Sequence, residues 1–157
     1  MRSVYRHRTH YYIWRLKMLN IEYREYAGEE LGKIVGFEFT KFADENDVNC
    51  NYIPFCFVAK DEDNFAGIIT GHSYYKEVKI NDLIVIKKYR GQQIGRKLIE
   101  AVEVYFKGKG FENINLSTYE FQAPDFYKKC GFEIEFVREN KNNPKLTKYF
   151  FVKYFSK

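Results

Sequence analysis

Apolar and polar residues alternate along several stretches of the chain, which is the pattern of strands with one buried face. The first stretch covers residues 19–23, directly after Met18. Residues 52–60 and 65–75 alternate in the same way on either side of an acidic turn, so they predict a hairpin. A further strand is predicted over residues 77–86, whose last four residues are continuously apolar, as in a strand covered on both faces.

Other stretches carry apolar residues at the spacing of a helix. Residues 92–107 give the clearest amphipathic helix, and a short helix is predicted over residues 123–130. Residues 31–42 show the same spacing, but Gly32 and Gly36 weaken it and predict a division into two short helices.

Three more strands complete the predicted order, over residues 112–118, 132–137 and 146–155. Hairpins mixed with crossover helices indicate a mixed sheet with helices packed on it, an α/β (α+β) fold. The length of 157 residues suits one domain, which we place at residues 18–157, with residues 1–17 as a basic, aromatic extension.

The net charge of +5 lies entirely in residues 1–17, so the remainder of the chain is neutral. This basic arm could bind RNA, but we favour an upstream extension over a nucleic-acid-binding module. Three scattered cysteines and three histidines predict neither a disulfide framework nor a metal site. No apolar run has the length of a membrane span and no signal peptide is evident, so we expect a cytoplasmic protein without membrane contact.

The segment from residue 89 to residue 96 stands between a predicted strand and the clearest helix. Gly91 and Gly95 allow close approach of the backbone to a ligand, and Arg90 and Arg96 add positive charge. The segment is neither a Walker loop nor a dinucleotide fingerprint, and two glycines alone slightly favour a plain strand-to-helix turn over a phosphate site.

Two segments together resemble the GNAT N-acetyltransferases. Residues 83–99 are similar to the acetyl-coenzyme A motif of that family: Arg90 and Gly95 match its ends, whereas Gln93 stands where a glycine is usual. Residues 122–132 resemble the later Ala-x-x-Phe-Tyr-x-x-x-Gly-Phe segment. A further departure is Glu120, where many members carry an asparagine.

The resemblance implies a mixed, mostly antiparallel sheet of six to seven strands with about four helices, and acetyl-CoA as the co-substrate. Backbone groups of Ile84, Val85 and Ile86 would pair with the pantetheine arm. The pyrophosphate would be held by the loop and first helical turn, namely Arg90, Gly91, Gln92, Gln93, Ile94, Gly95 and Arg96.

The resemblance also implies catalytic residues. Tyr127 matches the family tyrosine near the cofactor sulfur and is the predicted acid. Asp82 is the predicted base, Glu120 is its rival, and a solvated carboxylate that only binds the acceptor is an equal alternative for Asp82. His72 could titrate but is more often structural. Cys130, at a helix C-terminus, is disfavoured as a nucleophile.

The predicted activity is direct transfer of an acetyl group to a primary amine of a small molecule or peptide. A catalytically silent binding protein of the same fold stays open, as does a homodimer. The acceptor is not identified by the sequence. Four aromatic residues are candidates for an amine pocket: Tyr74, Tyr75, Tyr119 and Phe121.

Overall fold

The computed structural model describes residues 21–156. The predicted extension, residues 1–17, therefore lies outside the described residues. Residues 21–27 contain neither helix nor strand, so the strand predicted over residues 19–23 is wrong in its described part. No strand among the described residues pairs with this segment, and Ile21 is consequently 93% exposed.

Six strands form one sheet in the described part of the chain. They are β1 (Ile53–Asp61), β2 (Asn64–Tyr74), β3 (Glu77–Val85), β4 (Asn113–Tyr119), β5 (Glu133–Arg138) and β6 (Lys148–Tyr154), in the order β1-β2-β3-β4-β6-β5. Neighbouring strands are antiparallel except β3 and β4, which are parallel. This confirms the predicted hairpin and the mixed, mostly antiparallel sheet.

Three α-helices accompany the sheet within residues 21–156: α1 (Gly28–Asp44), α2 (Ile94–Phe106) and α3 (Pro124–Lys129). Helix α1 runs unbroken through Gly32 and Gly36, so the predicted division into two helices is wrong. Both glycines face open space, and a glycine in a helix costs only about 1 kcal/mol, which the rest of the helix can offset. No helix among the described residues is long and apolar enough to cross a membrane.

Helices α2 and α3 pack on the same face of the sheet, which we call the helix face. The apolar stripe of α2 meets core residues from β2, β3, β4 and β6, and each large side chain buried there contributes about 1.5–3 kcal/mol. The stripe consists of Leu98, Ile99, Val102 and Phe106. The opposite side of the sheet is the open face, which α1 contacts through Phe39 and Tyr74.

The end of β3 differs from the sequence prediction. Leu83 packs against the core of the helix face, but Ile84 is 53% exposed and Ile86 is also exposed. The continuous apolar run predicts a strand covered on both faces. This prediction is wrong: α2 covers the helix face of β3, and its open face is left exposed at Ile84. The exposed residues lie beside the functional site described next.

Candidate functional site

The central feature of the sheet is a gap between its two parallel strands. β3 and β4 pair at three positions within the described residues, from Glu77 opposite Asn113 to Lys79 opposite Asn115. Beyond these pairs β3 continues on β2 and β4 continues on β6. We call the space between Ile80–Val85 and Leu116–Tyr119 the wedge. At 3.3 Å per residue, its β3 side is about 20 Å long.

A β-bulge in β3 accounts for the wedge. Thr70 of β2 lies opposite Asp82, while the next residue, Gly71, lies opposite Ile80, so Asn81 is an extra residue. A bulge bends its strand and increases the local twist. It stands directly after the last pair with β4, so the bend separates the two strands. A Cβ at Gly71 would lie 2.1 Å from the Lys79 carbonyl oxygen, which shows how closely the strands approach here.

The bulge also directs two consecutive polar side chains to the open face. The Thr70 hydroxyl donates to Asp82 Oδ2 at 2.8 Å, and Asn81 Nδ2 lies 3.3 Å from His72 Nδ1. The predicted base is thus an exposed carboxylate beside the bulge. Sequence reasoning missed Thr70 and Asn81. The available signal was the pair of adjacent polar residues at 81 and 82, which interrupts a strict alternation.

Helix α2 begins at the open end of the wedge, just beyond β3. Its first turn has no acidic residue, and no side chain caps it. The backbone N–H groups from Gly91 to Arg96 have no acceptor among the described residues. Free N–H groups at the positive end of a helix dipole attract an anion. We call residues 90–96 the phosphate loop.

Gln93 adopts the backbone conformation that a glycine would favour there. Its φ is 60° and its ψ is 12°, in the left-handed region, and Gly91 also has a positive φ of 80°. The left-handed conformation costs a non-glycine residue about 1–2 kcal/mol. The departure from the family motif at Gln93 therefore keeps the turn and adds strain.

The two arginines of the phosphate loop are already engaged. Arg90 Nε donates to the Val85 carbonyl oxygen at 3.1 Å, which joins the loop to the end of β3. Arg96 pairs with Glu100 one helical turn later, at 3.2 Å, on the exposed side of α2. An anion at this site would consequently depend more on backbone N–H groups than on unpaired positive charge.

Tyr127 lies in α3 on the helix face. Its ring packs against Phe126, Phe132 and Phe151, with centroid distances of 5.1, 6.1 and 5.8 Å. Burial, followed by the nearby Cys130 thiol, raises the pKa of Tyr127 to about 12. Its hydroxyl makes no hydrogen bond to another described residue. The phenol therefore stays protonated near neutral pH and can donate.

The two predicted catalytic residues lie on opposite faces of the sheet. Asp82 is paired with Thr70 on the open face, and Tyr127 belongs to the core cluster of the helix face. The wedge is a gap in the sheet, so it connects the open face with the helix face. Such a site can receive one substrate from each face and bring them together within the sheet.

The other candidates are placed less favourably. The Glu120 carboxylate faces the Tyr149 hydroxyl and raises the pKa of that phenol. Because Tyr149 stacks on Phe151, Glu120 is directed to the helix face rather than beside Asp82. Cys130 is buried, and burial raises the pKa of its thiol, which opposes a thiolate nucleophile.

The four aromatic residues proposed for an amine pocket fall into two separate clusters. Tyr74 and Tyr75 are in contact, with centroids 4.4 Å apart, near the paired start of β3 and β4. Tyr119 and Phe121 stack at the far end of β4, about 20 Å along the strand. The structure therefore does not bring the four together.

A polar cavity of about 190 Å³ opens on the sheet where β3 and β4 part. Glu77 and Asn115, whose side chains are hydrogen-bonded at 3.0 Å, belong to its wall, together with Glu135 of β5. The wall also contains Lys79 and the amides of Asn113 and Asn115, so its two carboxylates exceed its one ammonium group and favour a cationic, hydrogen-bonding ligand. The cavity adjoins the narrow end of the wedge.

A model of the acetyltransferase (GNAT) family matches residues 4–132, so the chain belongs to this family. The match begins inside the segment predicted as an extension. N-alpha-acetyltransferase 30 of Schizosaccharomyces pombe is 34% identical over 85 residues, which are 50% of this chain and 57% of that protein. The chain thus matches little more than half the length of this relative.

Solved structures show the same fold. An acetyltransferase from Bacillus cereus has a TM-score of 0.68 and 25% identity, over 85% of this chain and 98% of that chain. A GNAT family acetyltransferase from Elizabethkingia anophelis, with acetyl-CoA bound, has a TM-score of 0.57 and 17% identity, over 65% and 76% of the two chains. These findings confirm the family and fold that the two motifs predicted.

Proposed function

We propose that the protein is an acetyl-CoA-dependent N-acetyltransferase that transfers the acetyl group directly to a primary amine of a small molecule or peptide. The observation that carries this proposal is the wedge, which opens beside the phosphate loop and interrupts the sheet between its two faces. Family membership supports the same activity, and a relative of the same fold binds acetyl-CoA.

The residues of the wedge fit the parts of acetyl-CoA. The pyrophosphate would accept hydrogen bonds from backbone N–H groups between Gly91 and Arg96. The amide-containing arm would pair with the edge of β3 near Ile84–Ile86, an edge that has no strand partner among the described residues. Acetyl-CoA supplies the activated acetyl group; the remaining chemistry belongs to side chains of this chain.

Tyr127 has a phenol suited to hydrogen bonding with the departing sulfur. A free thiol has a pKa of about 8.5, so complete proton transfer from a phenol of pKa about 12 costs about 5 kcal/mol. Donation of a hydrogen bond avoids this cost and still stabilises negative charge on sulfur. In the overall reaction a C–N bond forms, the C–S bond breaks, and the amine proton ends on the thiol.

Asp82 is placed to prepare the amine on the open face. An alkylamine with a pKa near 10.4 is mostly protonated at neutral pH and must lose a proton before it can attack. Thr70 holds Asp82 Oδ2, so Oδ1 is the oxygen available to the ammonium group. The polar cavity beside the wedge, with Glu77 and Glu135 in its wall, would hold the rest of a cationic acceptor.

The first test is binding and turnover with the wild-type chain. Isothermal titration should detect acetyl-CoA, and thiol release should reveal turnover with at least one of kanamycin, spermidine or a peptide that begins with alanine. No heat of binding at millimolar acetyl-CoA would refute the proposal. Binding without turnover of any amine would instead support the silent binding protein.

Matched variants assign the base. Asp82→Asn should lower kcat by about 100-fold or more, because a general base contributes about 10²–10⁴-fold. Glu120→Gln should have a much smaller effect, since that carboxylate faces Tyr149 on the helix face. The reverse order of effects would move the base assignment to Glu120.

A further inference from the structure

Lys153 of β6 connects the two helices of the helix face. Its ammonium donates to Glu103 Oε1 of α2 at 2.5 Å and to the Cys130 carbonyl oxygen at the end of α3 at 2.9 Å. The Lys153 and Glu103 side chains are only 28% and 26% exposed, so salt screens this pair less than a surface pair. One side chain thus fixes the separation of α2 and α3.

The turn after α3 leaves room for the Lys153 side chain because it contains a glycine, Gly131. Gly131 has a φ of 85°, and a Cβ at that position would lie 3.4 Å from Lys153 Cε. The lysine stem therefore passes against the turn that ends α3. Its ammonium donates a hydrogen bond to the Cys130 carbonyl oxygen. This carbonyl lies at the end of α3, where carbonyl groups receive no hydrogen bond from within the helix.

Tyr127 shares the turn that Lys153 holds. The amides of Cys130 and Phe132 both donate to the Tyr127 carbonyl oxygen, at 3.0 and 3.1 Å. Because α3 has only six residues, a shift of its last turn moves Tyr127 as well. At the other end of the connection, Glu103 belongs to α2, and the first residues of α2 are the last residues of the phosphate loop.

We propose that Lys153 is a positioning residue for acetyl transfer: it holds the Tyr127 hydroxyl at a fixed place relative to the phosphate loop. The inference rests on the proposed function of Tyr127. It assigns to a lysine remote from the wedge a control over kcat, exerted through α3. Small displacements of a catalytic group can lower the rate by about 100-fold.

The test is a double-mutant cycle with Tyr127→Phe, measured with acetyl-CoA and the fastest of the three amines named above. Lys153→Met should lower kcat by about 10- to 100-fold and change the KM for acetyl-CoA by less than about threefold. Made in the Tyr127→Phe background, it should lower kcat by no more than about twofold, since its target is already absent. Lys153→Arg should restore most of kcat.

Lys128→Met is the matched control. Lys128 also pairs with a carboxylate in α3, Asp125, but on the exposed side of the helix, so kcat should stay within about twofold of wild type. If Lys153→Met does not fold by near-ultraviolet circular dichroism, Glu103→Gln takes its place in the same cycle, with a smaller loss of kcat expected in the wild-type background and none beyond about twofold in Tyr127→Phe.

The outcomes separate the two proposals. Equal losses of kcat in both backgrounds, or a changed KM with unchanged kcat, would overturn the role of Lys153 while leaving Tyr127 in place. Full turnover by Tyr127→Phe would remove Tyr127 from the mechanism and overturn this inference, while the proposed activity would stand. No turnover by the wild-type chain would overturn the proposed activity and this inference together.

Discussion

Gly95 illustrates how the packing of the site determines the effect of a single methyl group. It is the second residue of α2, and a Cβ built there would lie 3.1 Å from Phe126 Cζ and 3.6 Å from Val85 Cγ2. The glycine therefore lets the ring of α3 pack on the first turn of α2. Gly95→Ala adds one methyl group to this contact.

Two opposing effects determine the magnitude. Alanine should stabilise the helix by up to about 1 kcal/mol relative to glycine. Against this, a contact of 3.1 Å requires Phe126 to move by a few tenths of an ångström, and overpacking in a core typically costs about 1–3 kcal/mol. We expect a net loss of about 1 kcal/mol in the free energy of unfolding.

Urea denaturation followed by circular dichroism measures this change. In a Phe126→Leu background the ring is gone, so Gly95→Ala should become stabilising by up to about 1 kcal/mol. Gly36→Ala in α1, where a Cβ meets nothing within 4 Å, is the control for helix propensity alone. Stabilisation by Gly95→Ala in both backgrounds would show that Phe126 is not the reason for the glycine.

Three further outcomes are expected. Gly91→Ala should cost about 1–2 kcal/mol of stability in urea without any clash, because its φ is 80°, and Gly91→Asn should cost less. Between pH 10 and 12 the wild type should lose up to about 3 kcal/mol more stability than Tyr127→Phe: the folded-state pKa of Tyr127 is raised from 10.0 to about 12, so its contribution is complete below pH 10 and disappears as pH rises through 12. Equal alkaline losses would contradict this burial. Deletion of Asn81 should straighten β3 and weaken acetyl-CoA binding in calorimetry with little change in the urea midpoint, and unchanged binding would separate the bulge from the wedge.

The sequence was sufficient to predict elements with a strong repeat. The helix expected over residues 92–107 is observed at Ile94–Phe106, and the hairpin of β1 and β2 is present as expected. Periodicity succeeds here because each element buries one face against the same core. The alternation at residues 19–23 shows the limit of this reasoning, since Ile21 lies exposed and pairs with no strand in residues 21–156.

The site was predictable in its parts but not in its arrangement. Motif resemblance supplied the phosphate loop and Tyr127 as candidates, but the opposite placement of Asp82 and Tyr127 depends on the bulge at Asn81. Strand alternation reports burial, not pairing across a sheet, so the end of the β3–β4 ladder could not be derived from it. The contacts of Lys153 join residues 50 and 23 positions apart, beyond the reach of any local pattern.

The wedge also divides the sheet mechanically. Residues 53–85 and residues 113–154 each build a three-stranded panel from neighbouring strands, and the described backbone joins the panels along a seam of three residue pairs. Strands within a panel are close in sequence, whereas the paired residues of β3 and β4 are separated in the chain by α2. A ligand that contacts both β3 and β4 across the wedge would hold the two panels together. It would stabilise the native state by RT ln(1 + [L]/Kd). The three pairs beside the wedge are therefore the narrowest backbone connection between the panels in the described part of the chain.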